Sequence, residues 1–352
     1  MTTSNLSLQE NARIDFALYL RRRWSDVLYP ALNTQYELEA DQSGTSSLEA
    51  TENIVTNLPV YPWFAWMERG AQKMLWRSVS DVVEAHPEEA IDGGDDTEEL
   101  ELNPSLKLPA WYTDWDIHVQ PGGVWRNGAS ARVYELGAKL VMLGENDRYG
   151  FHDSFLETAV PKRTYARIVD LGCGFGKLTW PLKKTFPQAE VIGIELAAPC
   201  LQLAHRKAKE QQLHIRFIQA DACETGLEDQ SCDLVTATML IHEIPEDKLQ
   251  IIFTEAARIL MPGGLLRILD FQNTGQPVRD VVMAQHGARN NEPFMPPMMN
   301  ADLNSMCDKA GLVKSQWVAF DERGTGRLEN LSWPDRAEWH FPWAVLEAEK
   351  AL

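Results

Sequence analysis

The sequence predicts an α/β fold: a mostly parallel sheet of seven strands that ends in an antiparallel hairpin, preceded by an N-terminal helical region. Three observations predict it. From about residue 166, short apolar runs alternate with helical patterns. A glycine-rich turn leaves the first of those runs. The residues ahead of it carry apolar positions at helical spacing instead. Strands that alternate with helices imply right-handed crossovers, and hence a parallel sheet.

The elements follow in order. Residues 8–30 read as an amphipathic helix, with Leu8, Ile14, Phe16, Leu18, Leu20, Trp24, Val27 and Leu28 near helical spacing and Pro30 expected to limit its end. The cluster Arg21-Arg22-Arg23 reads as a solvated helix face. A second helix is expected near 63–86, with Trp63, Trp66, Met67, Met74, Leu75, Val79 and Val82 on it. The stretch Glu88–Asp96, followed by Glu98 and Glu99, reads as an exposed loop, because like charges repel and little there can be buried. The expected organisation is a helical region over 1–110, a lid or cap over 111–160 and the α/β domain over 161–352. Within that domain strands are expected at 167–171, 190–194, 215–218, 232–237 and 264–269. Helices are expected at 176–186, 198–212, 246–260 and near 300–311, and Val313–Phe320 with Trp343–Glu349 form the closing hairpin.

Composition bounds the function. The chain has 352 residues, 44% of them apolar, and a net charge of −18. Binding nucleic acid requires a basic footprint, so DNA, RNA and anionic membranes are poor partners. No apolar run approaches the roughly 20 residues that span a bilayer. The N-terminus lacks the pattern of a signal peptide. Five cysteines, an odd number with no Cys-x-x-Cys, argue against a disulfide framework or a zinc site and for a cytoplasmic setting. No metal is expected. A homodimer is left open. Tryptophan is plentiful, at 12 residues, with a cluster from Trp63 to Trp125 that reads either as core or as the wall of a pocket for a flat or lipophilic molecule.

The chemistry is carried by Val169-Asp170-Leu171-Gly172-Cys173-Gly174-Phe175-Gly176-Lys177. It leaves a strand and enters a helix, where glycines let the backbone approach a ligand closely. A dinucleotide fold wants G-x-G-x-x-G, but the third glycine falls one place early and Lys177 fills its slot. A P-loop fails twice, at Leu171 and at Leu178. Glu195 ends the second strand, 19 positions after Gly176, where an acid can accept from both hydroxyls of a ribose. Gln219-Ala220-Asp221-Ala222 follows the third strand, Asp233-Leu234-Val235 opens the fourth, and Met261-Pro262-Gly263-Gly264 turns into the fifth. Asp221 alone would read as a turn residue and Glu195 alone as a strand-end charge. Their joint placement after successive strands reverses that reading.

The pattern D-x-G-x-G-x-G with these downstream acids resembles the class I S-adenosylmethionine (SAM)-dependent methyltransferases. Residues 165–275, about a third of the chain, are similar to the ubiquinone/menaquinone C-methyltransferase-like domain. The resemblance implies a Rossmann-like sheet and makes 161–352 a SAM-binding methyltransferase domain. It implies that Asp170, Gly172, Cys173, Gly174, Gly176, Glu195, Leu196, Asp221, Ala222 and Met239 hold SAM, with S-adenosylhomocysteine as product. The acceptor is expected to be a small aromatic or lipophilic metabolite of secondary metabolism, with carbon, nitrogen and oxygen acceptors all open. The loop Thr238–Pro245 implies His242 and Glu243 as catalytic groups, with His118 as a rival base. Tyr112, Trp115, Asp116, Asn291 and Glu292 are expected on the acceptor. A non-catalytic SAM-fold scaffold and a nicotinamide-dependent oxidoreductase are the alternatives. The intact acids argue against the first and the glycine spacing against the second.

Overall fold

Where strand and helix patterns alternate, the chain builds one sheet with helices on both faces. The computed structural model describes residues 6–43, 47–87, 98–142, 146 and 148–352. The strands are β1 (Leu100–Glu101), β2 (Arg167–Leu171), β3 (Glu190–Glu195), β4 (Arg216–Gln219), β5 (Cys232–Thr238), β6 (Leu260–Phe271), β7 (Leu312–Asp321), β8 (Gly326–Arg327) and β9 (Trp343–Lys350). Their order across the sheet is β1-β4-β3-β2-β5-β6-β9-β7-β8. Strands β1 to β6 are parallel, while β9 lies antiparallel between β6 and β7. Ile168, Val169, Val191, Ile192, Ile194, Leu234 and Val235 are all buried, as a sheet covered on both faces requires.

The described sheet has nine strands where seven were expected. The two additions are two-residue strands, too short to leave a periodic signal. β1 pairs with β4, seats Leu100 fully buried, and pairs Glu101 with Arg216. β8 pairs with the end of β7.

The helices are α1 (Leu8–Arg23), α2 (Tyr29–Ser43), α3 (Leu48–Asn57), α4 (Tyr61–Ala85), α5 (Ala110–Thr113), α6 (Gly128–Leu140), α7 (Gly150–Ala159), α8 (Thr179–Thr185), α9 (Ala198–Glu210), α10 (Glu246–Ile259), α11 (Pro277–Arg289), α12 (Met295–Asn300) and α13 (Leu303–Lys309). Ser7 and Glu10 close a reciprocal cap at the start of α1. Pro30 does not end this helix. The chain leaves α1 at Arg23, runs through a π-helical turn at Trp24–Leu28 and continues into α2, where Pro30 falls in the first turn and its missing N–H costs little. The Tyr29 N–H reaches back to the Trp24 carbonyl across that turn. The acidic stretch Glu88–Asp96 lies outside the described residues.

α4 packs along α1 and crosses α6 at Gly137, where a Cβ would stand 1.9 Å from the Trp76 ring. Gly137 is therefore the socket for Trp76. The tryptophan cluster divides: Trp76 is buried, whereas Trp63 and Trp66 are 64% and 62% exposed. Among the described residues no helix is long and apolar enough to cross a membrane.

The sheet order reverses between β2 and β5. That switch point opens a crevice beyond the strand ends, where open α/β sheets bind ligands. The loops after β2, β3, β4 and β5 all converge there.

Candidate active site

The loop after β2 turns through Gly172, Gly174 and Gly176, all at positive φ (63°, 52° and 93°). The three do different work. A Cβ on Gly172 would meet Leu240 at 2.6 Å, so this glycine lets the β2 and β5 loops touch. A Cβ on Gly176 would meet the Trp180 ring at 2.8 Å, which makes Gly176 a packing position. A Cβ on Gly174 would meet only the Tyr134 ring, at 3.4 Å, an ordinary contact at the cavity wall. Cys173 turns its side chain into the core, and its N–H donates to the Ile194 carbonyl. Asp170 is buried and accepts from Thr179 (2.7 Å) and Thr236 (2.9 Å). Burial pushes its carboxyl up to about 6 against the pull of those two hydroxyls. Asp170 braces the loop from beneath. Of the loop residues expected to touch a ligand, Gly172 and Gly174 line the cavity, while Asp170, Cys173 and Gly176 do not.

That cavity encloses about 880 Å³, its solvent mouth included. Glu195, Leu196, Asp221, Ala222 and Met239 line it. Glu195 accepts the Gly174 N–H (3.1 Å), the Ala197 N–H (2.9 Å) and the Tyr112 hydroxyl (3.2 Å). Burial raises its carboxyl above the usual value, against those three donors. Asp221 takes the Cys223 N–H at 2.8 Å. Trp111, Tyr112, Trp115 and Trp125 roof the same cavity. Tyr112 and Trp115, expected on the acceptor, therefore stand over the glycine loop and Glu195. Asp116 lines neither this cavity nor the next; its carbonyl accepts from Asn291 Nδ2 at 3.1 Å. Asn291 thus ties the roof segment to the turn after α11.

A second cavity, of about 720 Å³, shares His118, Tyr134, Met239 and Glu243 with the first. It is lined further by His242, Glu292, Lys177, Arg21 and a set of aromatic rings. His242 Nδ1 lies 2.6 Å from Asp270 Oδ1. Asp270 is wholly buried and takes the N–H groups of Ile241 and Phe271, both at 2.9 Å. Burial lowers His242, yet Asp270, with Glu243 and Glu292 behind it, outweighs burial and the imidazole is raised above its ordinary value. A buried carboxylate on Nδ1 fixes the ring and leaves Nε2 toward the cavity, 3.7 Å from Glu243.

His118 behaves differently from the rival base it was expected to be. Its Nδ1 lies 2.7 Å from Glu292 and its Nε2 3.1 Å from Glu243. Burial pulls the imidazole down, but the two carboxylates together raise it to about 10. A charged ring with both nitrogens engaged has no lone pair for a substrate proton. His118 is a cationic clip, stacked on Trp76 and held at a left-handed φ of 58°. Met239, shared by both cavities, is also left-handed, at φ 55°.

Three groups of the site escaped the sequence reading: Lys177 and Tyr134 on the cavity wall, and Asp270 buried behind His242. Asp270 was hidden inside an apolar strand, although it stands at a strand's carboxyl end, where ligand-site residues concentrate. Lys177 was read only as a misplaced glycine. Tyr134 lies on α6, with no local signal at all.

The fold, the glycine loop and the acids at successive strand ends form a cleft similar to the cofactor site of class I SAM-dependent methyltransferase domains. Residues 168–264 match the family described as a methyltransferase domain. The chain is similar to demethylmenaquinone methyltransferase of Thermus thermophilus, with 36% identity over 140 residues, 39% of this chain and 60% of the relative. It is also similar to trans-aconitate 2-methyltransferase of Deinococcus radiodurans, with 36% identity over 114 residues, 32% of this chain and 41% of the relative. A solved phosphoethanolamine N-methyltransferase 2 of Haemonchus contortus overlaps it with a TM-score of 0.44 at 17% identity, covering 58% of this chain and 53% of that one. The chain spans less than two thirds of these relatives' lengths.

Proposed function

We propose that this protein transfers a methyl group from SAM to a small aromatic or lipophilic acceptor and releases S-adenosylhomocysteine. The observation that carries the reading is the pair of cavities meeting at Met239, Tyr134, His118 and Glu243: one holds the glycine loop and strand-end acids, the other a buried histidine–carboxylate pair. The residues fit the cofactor. Gly172 and Gly174 bring bare backbone to the cavity wall, Glu195 offers a carboxylate to the ribose hydroxyls, and Asp221 offers one to the adenine amine. SAM supplies an electrophilic methyl on a sulfonium.

The chain's own groups then align and shield the acceptor. The aromatic roof from Trp111 to Trp125 covers the first cavity and keeps water out. His242 Nε2 receives a proton when the acceptor must lose one, and Asp270 holds the imidazole for that step. Residues 1–160 act as part of the acceptor site rather than as a detachable module, since α1, α4 and α6 supply Arg21, Trp76 and Tyr134 to the second cavity. The net charge of −18 opposes nucleic-acid partners.

Thermal unfolding with SAM, S-adenosylhomocysteine and NAD tests the reading, because a ligand stabilises only the state it binds. Stabilisation by the first two and not by NAD is expected. Stabilisation by NAD alone would overturn it.

A further inference from the structure

Lys177 follows the third glycine of the loop and has no place in the steps above. Its side chain is buried, at 7% exposure. Its ammonium donates to the Tyr134 hydroxyl at 3.1 Å and lies 3.9 Å from Met239 Sδ. The faces of Tyr134 and Phe175 stand 5.1 and 5.8 Å away. Every one of these partners is neutral, and among the described residues no carboxylate pairs with Nζ. Glu243, the nearest acid in effect, is already taken up by His118. Burial drags the lysine down to about 8 against the pull of that acid.

A second cation lines the same cavity. Arg21, expected on a solvated face, is buried and reaches inward from α1. Its guanidinium donates to Gln72 Oε1 and the Val141 carbonyl, both uncharged, and its Nε has no partner. A buried charge with no carboxylate in contact is costly to a fold, and here Glu68 and Glu243 reach Arg21 and Lys177 only from a distance, while paired with Arg289 and His118. Two of them facing one cavity lower the energy of any anion that enters it.

We infer that the second cavity takes an acceptor bearing an anionic oxygen, a carboxylate or an ionised phenol or enol, with that oxygen set against Lys177 and the molecule's flat body between Trp76, Phe271 and Trp343. The inference deepens the proposed function and rests on it for the word acceptor. The chemistry is consistent with that role: an anion and a sulfonium neutralise each other on methyl transfer, a change that a dry, low-dielectric site favours. Lys177 is then a specificity-determining residue, and Tyr134 orients its ammonium.

The test is calorimetry on the full chain with S-adenosylhomocysteine present, using 2-naphthoate, 2-naphthol and 2-naphthamide as probes. At pH 7, where Lys177 keeps its proton, a charge-assisted contact predicts that naphthoate binds about ten-fold or more tightly than the amide, and that naphthol does so only where the site takes it up as the phenolate. Which of the two anions wins separates carboxylate from phenolate recognition. Lys177→Met should abolish the preference and Lys177→Arg should retain most of it. Equal affinity of the wild type for all three probes overturns the inference, with no variant needed. So does a preference that survives in a folded Lys177→Met protein. Binding of S-adenosylhomocysteine alone, measured in the same proteins, tells failure of this inference from failure of the functional reading.

Discussion

His118 and Glu292 are joined at 2.7 Å, a contact that ties the segment over the first cavity to the turn between α11 and α12. Glu243 on the β5 loop holds the other imidazole nitrogen at 3.1 Å. Burial alone would raise Glu292, yet the imidazolium keeps it below the ordinary carboxylate value. The clip makes stability depend on pH. The folded imidazole titrates at about 10, against 6.5 when free. Its contribution is therefore complete below about 6.5 and fades as pH rises toward about 10. Denaturant unfolding at pH 6, 8 and 10 should show wild type losing stability across that window more steeply than His118→Gln. His118→Leu, which strands a buried carboxylate, should cost about 3–5 kcal/mol near neutral pH. A flat wild-type profile would remove the clip.

His242 and Asp270 make a second, separable prediction. Burial lowers this imidazole, and Asp270 together with Glu243 and Glu292 raises it further than burial lowers it. Asp270→Asn removes the largest pull against burial and leaves only Glu243 and Glu292 to oppose it, so the His242 proton resonance should titrate below its wild-type value. If the base is needed, the rate rises as His242 loses its proton, and the acidic limb of the rate profile should move to lower pH in Asp270→Asn. His242→Ala should slow methyl transfer by roughly 10²–10⁴-fold with cofactor affinity unchanged. A near-wild-type single-turnover rate would leave positioning as the whole of the mechanism.

The parts of this molecule that were legible in the sequence are those with a repeating or local signature. β2 to β6 announced themselves as short apolar runs between helices, and Glu195 and Asp221 stand out because they follow two of those runs. Pro30 misled because proline is a stop signal only when the register is α-helical; a π-helical turn ahead of it removes the conflict. β1 stayed hidden because its two residues form a strand only through β4, more than 100 positions away. His118 illustrates the deeper limit. Its identity suggested a base, but its protonation is decided by Glu243 and Glu292, which reach it from distant loops. Local sequence carries no information about that meeting.

Glu195 should hold the ribose. Glu195→Gln removes the charge while keeping the shape, and one charge-assisted bond is worth about 1.5–3 kcal/mol. Calorimetry with S-adenosylhomocysteine should show a loss of that order. Gly174→Val should abolish binding, because φ 52° is strained for valine and its methyl groups would enter the cavity. Unchanged affinity in either folded variant would move the cofactor elsewhere.

The last prediction concerns Tyr112, whose hydroxyl donates to Glu195, the acid proposed to hold the ribose. A carboxylate offers about four acceptor positions. Glu195 already uses three, on Gly174 N–H, Ala197 N–H and Tyr112 O–H. Two ribose hydroxyls need two. The backbone donors belong to the turns that shape the site, so Tyr112 is the group that must yield. Burial pushes its hydroxyl well above the ordinary tyrosine value, so it remains a donor at any working pH. Tyr112→Phe keeps the ring in the aromatic roof and releases the oxygen. S-adenosylhomocysteine should then bind more tightly, by about 0.5–1.5 kcal/mol, the usual net worth of one hydrogen bond. Association should also quicken, since no contact has to break before the ribose arrives. Weaker binding in Tyr112→Phe would mean that the hydroxyl turns to meet the cofactor, and the roof would then be part of the binding site itself.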